Sequence, residues 1–143
     1  MADIAIETEL AAEVDDVWED VCDIASHVEW MQDASDIVFT SDQTQGLGTT
    51  FDCLTKVGPI RLTDRMEITE WAPREAIGVR HVGLVTGEGR FTLTATNENT
   101  TRFVWAETLY FPWWLGGRIG GWVGSPILRG VWRRNLQMLR ARY

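Results

Sequence analysis

Two cysteines and two histidines in 143 residues leave little with which to hold a metal or a disulfide framework. Cys22 and Cys53 form no CxxC pair, so reduced thiols are expected. His27 and His81 stand in no HxxxH pattern and near no cysteine pair, so no metal site and no cofactor is expected. Long hydrophobic runs are also missing: no stretch approaches the roughly 20 apolar residues of a membrane span, which excludes stable membrane insertion. MADIAIETEL lacks a basic region followed by an apolar core, and the cytoplasm is the expected compartment. No serine lies in a GxSxG elbow. Gly116-Gly117-Arg118-Ile119-Gly120-Gly121 lacks the strand-loop-helix setting and the Lys-Ser/Thr of a phosphate-binding loop, so a nucleotide is not supported.

Basic charge is scarce at the start of the chain. Residues 1–60 carry 14 acids and one base, Lys56, a net −13; the other 83 carry 7 acids and 12 arginines, a net +5, and the sum is −8. An overall acidic chain is a poor candidate for nucleic acid. Asp15, Asp16, Glu19, Asp20 and Asp23 share a helical face, but one side of a helix cannot surround a hard cation, and the run reads as a solvated surface.

Hydrophobic residues, by contrast, make up 45% of the chain and include eight tryptophans, which suits one compact domain over residues 1–143. Ile4, Ile6, Thr8 and Leu10 alternate with polar residues as in a strand with one wet face. Val14, Val17, Trp18, Val21 and Ala25 then recur at helical spacing, with a break near Ser26-His27 before a second short helix ending at Trp30-Met31. From Ser35 to Phe111, β-branched and aromatic runs separated by turn residues predict an antiparallel meander with strands near 36–42, 48–57, 60–71, 75–82, 87–96 and 101–111. Ser125-Pro126 reads as the start of a long amphipathic helix whose stripe is Ile127, Leu128, Val131, Trp132, Leu136 and Leu139. The Trp- and Gly-rich segment between 111 and 124 reads as a gate over a pocket, as a packed connection, or as a place where Trp113, Trp114 and Trp122 meet a membrane surface.

The most informative stripe is in Thr101 to Phe111, where Phe103, Trp105, Glu107, Leu109 and Phe111 share one face. A carboxylate among apolar neighbours is costly unless it is paired, hydrogen-bonded or facing a wet cavity, so Glu107 points to a pocket. The same alternation groups Leu62, Asp64, Met66 and Ile68, then Ile77, Val79 and His81, then Phe91, Leu93 and Ala95.

The order of elements, with Val17-Trp18, Glu29-Trp30-Met31, Gly46-Leu47-Gly48, Glu70-Trp71 before Pro73, and Thr101-Arg102-Phe103, resembles the START/SRPBCC superfamily and its polyketide cyclase/dehydratase-like proteins. The resemblance implies an α+β helix-grip fold: a seven-stranded antiparallel sheet curved around a long C-terminal helix, with two short helices after the first strand. It also implies a cavity between sheet and helix that binds a small hydrophobic or amphipathic molecule such as a lipid or polyketide. A minority of the superfamily does chemistry there.

In that sheet order Asp64, His81 and Glu107 form the candidate polar cluster, with Gly87 and Gly89 leaving room between the strands of His81 and Glu107. The cluster could anchor a ligand. Alternatively, His81 could act as a general base for cyclisation or dehydration with Glu107 or Asp64 assisting, or the groups could simply satisfy one another. Asp64 could also pair with Arg61 or Arg65 if its strand bulges. The expected ligand wall is Met66, Val79, Phe91, Phe103, Trp105, Trp30, Cys53, Trp113 and Trp132. The expected partner is a small hydrophobic molecule, and the chain is expected to be a monomer or homodimer.

Overall fold

The alternation at the amino terminus forms β1 (Ala2–Leu10), in which Ile4, Ile6 and Leu10 are buried and Asp3, Ala5 and Glu7 are exposed. The structure is a computed structural model that describes residues 2–143; side chains at 115 and 118–123 lie outside the described set. Helix α1 (Val14–Val21) turns Val17 and Val21 inward, and a 3-10 helix at Ile24–Glu29 follows; the break falls at Cys22-Asp23, earlier than the expected Ser26-His27, which lie within the 3-10 helix.

The meander forms β2 (Ala34–Phe39), β3 (Thr50–Val57), β4 (Ile60–Ala72), β5 (Ala76–Val82), β6 (Thr86–Asn97) and β7 (Thr100–Tyr110). All neighbours are antiparallel in the order β1-β7-β6-β5-β4-β3-β2, so the first strand closes against the last. This is the seven-stranded open sheet of the helix-grip fold. β2 begins earlier and ends sooner than its alternation suggested, because its pairing with β3 shifts register between Ala34 and Asp36. Such a bulge moves side chains to the other face and erases a period-2 signal.

The terminal helix α2 (Gly117–Arg140) differs from expectation at its start. Gly116 adopts φ 91° and closes a short 3-10 turn over Trp113–Leu115, so the chain enters the helix at Gly117 and Pro126 falls inside it. Ser125-Pro126 therefore does not cap the helix. Proline lacks an N–H, but a helix anchored further along by packing tolerates the loss of one bond. The gate reading of Gly120, Gly121 and Trp122 lies partly outside the described side chains.

Along the C-terminal half of α2 the packing is close. Trp132, Leu136 and Leu139 are buried, and Trp132 stacks on Trp105 with ring centroids 4.7 Å apart. Asn135, fully buried, accepts from the Gln32 backbone N–H at 2.9 Å and donates to Asp33 at 2.8 Å. At the end of the chain Arg142 and Tyr143 both bind Asp20 on α1. These contacts hold the helix across the sheet and leave a cavity beneath it. Among the described residues no helix is long and apolar enough to cross a membrane.

Candidate functional site

The alternation of β7 buries Thr101, Phe103, Trp105, Glu107 and Leu109 on one face. Glu107 lies opposite Gly89 on β6, and Gly89 lies opposite Val79 on β5. A β-carbon on Gly89 would sit 2.6 Å from Cγ and 2.8 Å from Cδ of Glu107, closer than such atoms approach. The missing side chain therefore provides the space in which Glu107 lies over β6.

His81 on β5 pairs with Gly87 on one side and Met66 on the other, and Asp64 is two residues from Met66 on the same face of β4. Its imidazole thus links a side chain of β4 to one of β7. Nδ1 lies 2.9 Å and 3.0 Å from the two Asp64 carboxylate oxygens, and Nε2 lies 2.7 Å from Oε1 of Glu107. His81 and Glu107 are only 4% and 8% exposed. Arg65 does not take Asp64, because strand pairing puts it opposite Asp52, which it binds at 2.9 Å.

Burial alone would press the His81 imidazole down, but its hydrogen bonds to Asp64 and Glu107 and their charges outweigh this and push it up to about 10. Burial raises Glu107 above the ordinary carboxyl range, with His81 pulling in the opposite direction. Both groups therefore hold tightly to the proton between Nε2 and Oε1. At neutral pH His81 is an imidazolium that donates from both nitrogens, and it has no lone pair free for a substrate.

Around this cluster is a cavity of about 260 Å³ between sheet and α2. Of the wall expected from sequence, Met66, Val79, Phe91, Trp105, Cys53 and Trp132 line it, as do all three members of the polar cluster. Trp30 and Phe103 do not: both are fully buried behind the wall, where Trp30 meets Phe103 and Trp105 edge-on at 6.3 Å and 6.1 Å. They support the lining without touching the space. Trp113 is 86% exposed and outside the lining, because the turn after Pro112 carries it into solvent.

His27 and Asp33 also line the cavity and lacked a sequence signal. His27 sits in the 3-10 helix, packs on Phe91 at 5.6 Å, and donates from Nε2 to the Val21 carbonyl at 2.7 Å. Burial pushes this imidazole down, so it is neutral and its lone pair is on Nδ1. Asp33 is held by Trp132 Nε1 at 3.0 Å and Asn135 Nδ2 at 2.8 Å. Its partners lie about a hundred residues away, beyond any local pattern. Cys53 is pushed up to about 12 chiefly by burial, so it faces the cavity as a neutral thiol. Among the described residues no group of three or more His, Cys, Asp or Glu is placed to hold a metal ion.

The fold has relatives of known structure. The family described as polyketide cyclase/dehydrase and lipid transport matches residues 1–143. A crystal structure from Thermus thermophilus is similar with TM-score 0.80 and 15% identity, covering 98% of this chain and 95% of that one. A START superfamily protein from Mycobacterium smegmatis is similar with TM-score 0.75 and 11% identity, over 99% and 97% of the two chains. The di-domain ARO/CYC StfQ from the steffimycin biosynthetic pathway is similar with TM-score 0.76 and 16% identity, covering 98% of this chain and 49% of that one. At these identities the likeness is one of fold. No curated protein sequence matches the chain.

Proposed function

The chain belongs to the polyketide cyclase/dehydrase and lipid transport family, and we propose that it holds one small hydrophobic or amphipathic molecule in the cavity between sheet and α2. The observation that carries this reading is an apolar cavity of about 260 Å³ into which Asp64, His81 and Glu107 face as one hydrogen-bonded cluster. The aromatic and aliphatic wall supplies affinity, while Glu107, His81 and Asp64 fix one end of the ligand. A ligand burying about 250 Å² of apolar surface gains about 6 kcal/mol from transfer, less than the roughly 8 kcal/mol of micromolar binding, so hydrogen bonds to the polar cluster have to add to the affinity.

Geometry favours binding over base catalysis by His81. A general base must be unprotonated and within reach of substrate, whereas this imidazole is charged and both its nitrogens are engaged.

The test is titration with N-phenyl-1-naphthylamine, a neutral probe that brightens in apolar surroundings. Saturable one-to-one binding is expected in the native protein, and Cys53→Phe, which puts a ring into the cavity, is expected to abolish it while circular dichroism stays unchanged. Binding that survives Cys53→Phe in the folded protein, or no saturable binding at all, would refute the reading.

A further inference from the structure

From the hydrogen-bonding groups of the cavity we propose that its ligand is a neutral or cationic molecule whose polar group donates hydrogen bonds, such as a phenol, an alcohol or an amine, and that carboxylates and phosphates are rejected. This inference rests on the binding function proposed above and adds the ligand's chemical class.

Every strong side-chain donor on the described lining is already committed. His81 gives one N–H to Asp64 and the other to Glu107. His27 gives Nε2–H to the Val21 carbonyl and Trp132 gives its indole N–H to Asp33, while the Trp105 indole N–H already favours the charged form of Glu107. Thr55 donates to the Cys53 carbonyl at 3.3 Å. Arg90 touches the cavity but is out of phase with inward-facing Phe91, and Glu70 takes its guanidinium at 2.6 Å and 3.0 Å. The Cys53 thiol is a weak donor.

Acceptor capacity, in contrast, is left over. Glu107 accepts from His81, and each oxygen of Asp33 accepts one bond from the described residues, although a carboxylate offers about four lone-pair sites. Nδ1 of neutral His27 has no hydrogen-bond partner among the described residues, and it is not sealed off as a buried orphan. Three carboxyl groups, Asp33, Asp64 and Glu107, face the cavity, and His81 is the buried cation that balances them. An anionic head group would meet like charge and no free donor. A hydroxyl or ammonium would meet acceptors at both the Glu107 and His27 positions.

Calorimetric titration at pH 7 with 2-naphthol, 2-methoxynaphthalene and 2-naphthoate separates these effects, because the three share one ring system small enough for the cavity. The expected order is 2-naphthol tightest, 2-methoxynaphthalene at least threefold weaker, and 2-naphthoate at least tenfold weaker. Glu107→Gln, which supplies a donor and removes a charge, is expected to shrink the gap between naphthol and naphthoate by about tenfold; Asp64→Asn repeats the test if that variant does not fold. If the native protein binds N-phenyl-1-naphthylamine yet takes 2-naphthoate or 2-methoxynaphthalene as tightly as 2-naphthol, the ligand class is wrong and the binding function stands. If neither N-phenyl-1-naphthylamine nor any of the three binds, both fall.

Discussion

Adding one methyl group at Gly89 tests how the polar cluster is built. The backbone there is ordinary strand, so alanine would normally help: a glycine in a strand interior costs roughly 0.5–1 kcal/mol relative to alanine. Here the new β-carbon would meet Cγ and Cδ of Glu107 at 2.6 Å and 2.8 Å, and the carboxylate would have to leave. Its departure breaks the 2.7 Å bond to His81 and leaves a buried imidazolium with one partner in place of two. Breaking one side of a buried ion pair costs about 3–5 kcal/mol, so after the strand gain Gly89→Ala should destabilise by about 2–4 kcal/mol. With a urea dependence of about 2 kcal/mol per molar, the unfolding midpoint would fall by about 1–2 M. In a Glu107→Ala background the same substitution should be neutral or slightly stabilising, since nothing remains for the methyl group to displace. Equal losses in both backgrounds would place the strain in the backbone. No loss in the native background would show that Glu107 does not lie over Gly89.

Stability should also depend on pH in a manner set by the two histidines. His81 is raised in the folded state to about 10 from an ordinary 6.5, so its contribution is full below pH 6.5 and is lost as pH rises toward 10. The urea midpoint should decline between pH 6.5 and 9, and the decline should vanish in His81→Gln; a rise over that window would contradict the assignment. His27 is lowered by burial, so its contribution is present above pH 6.5 and is lost as acid protonates the unfolded chain, and His27→Gln should flatten the acid side of the curve. Cys53, buried and pushed up to about 12, should resist iodoacetamide at pH 8 at least tenfold more than partly exposed Cys22, as read by peptide mass mapping; equal labelling would contradict its burial. Asn135→Ala removes the bridge between α2 and Asp33 and should cost about 1–3 kcal/mol by thermal unfolding. A change within error would show that the bridge is not needed.

Much of this site was legible because a strand's period of two is rigid. Once Glu107 is placed on the inward face of β7, simple alternation puts Asp64, Met66, Val79, His81 and Phe91 on inward faces of their own strands, and all of them line the cavity. Gly89 was readable as room for a side chain because β6 lies between β5 and β7. What alternation cannot state is depth. Phe103 and Trp105 point the same way on β7, yet Trp105 reaches the cavity while Phe103 is sealed behind it. His27 and Asp33 were hidden for another reason: they lie in or just after the 3-10 helix, where no periodicity tells which residue faces inward. The start of α2 was misplaced because Ser125-Pro126 has the local chemistry of a helix start, whereas Gly116 makes the turn that sets it.

Native and denaturing mass spectra of the protein purified from its own host test the central claim most directly. An excess mass of one small molecule per chain is predicted in the native spectrum, vanishing on denaturation and missing from Cys53→Phe. An excess that persists in folded Cys53→Phe would contradict the claim, as would a native spectrum without excess from protein that also fails to bind N-phenyl-1-naphthylamine.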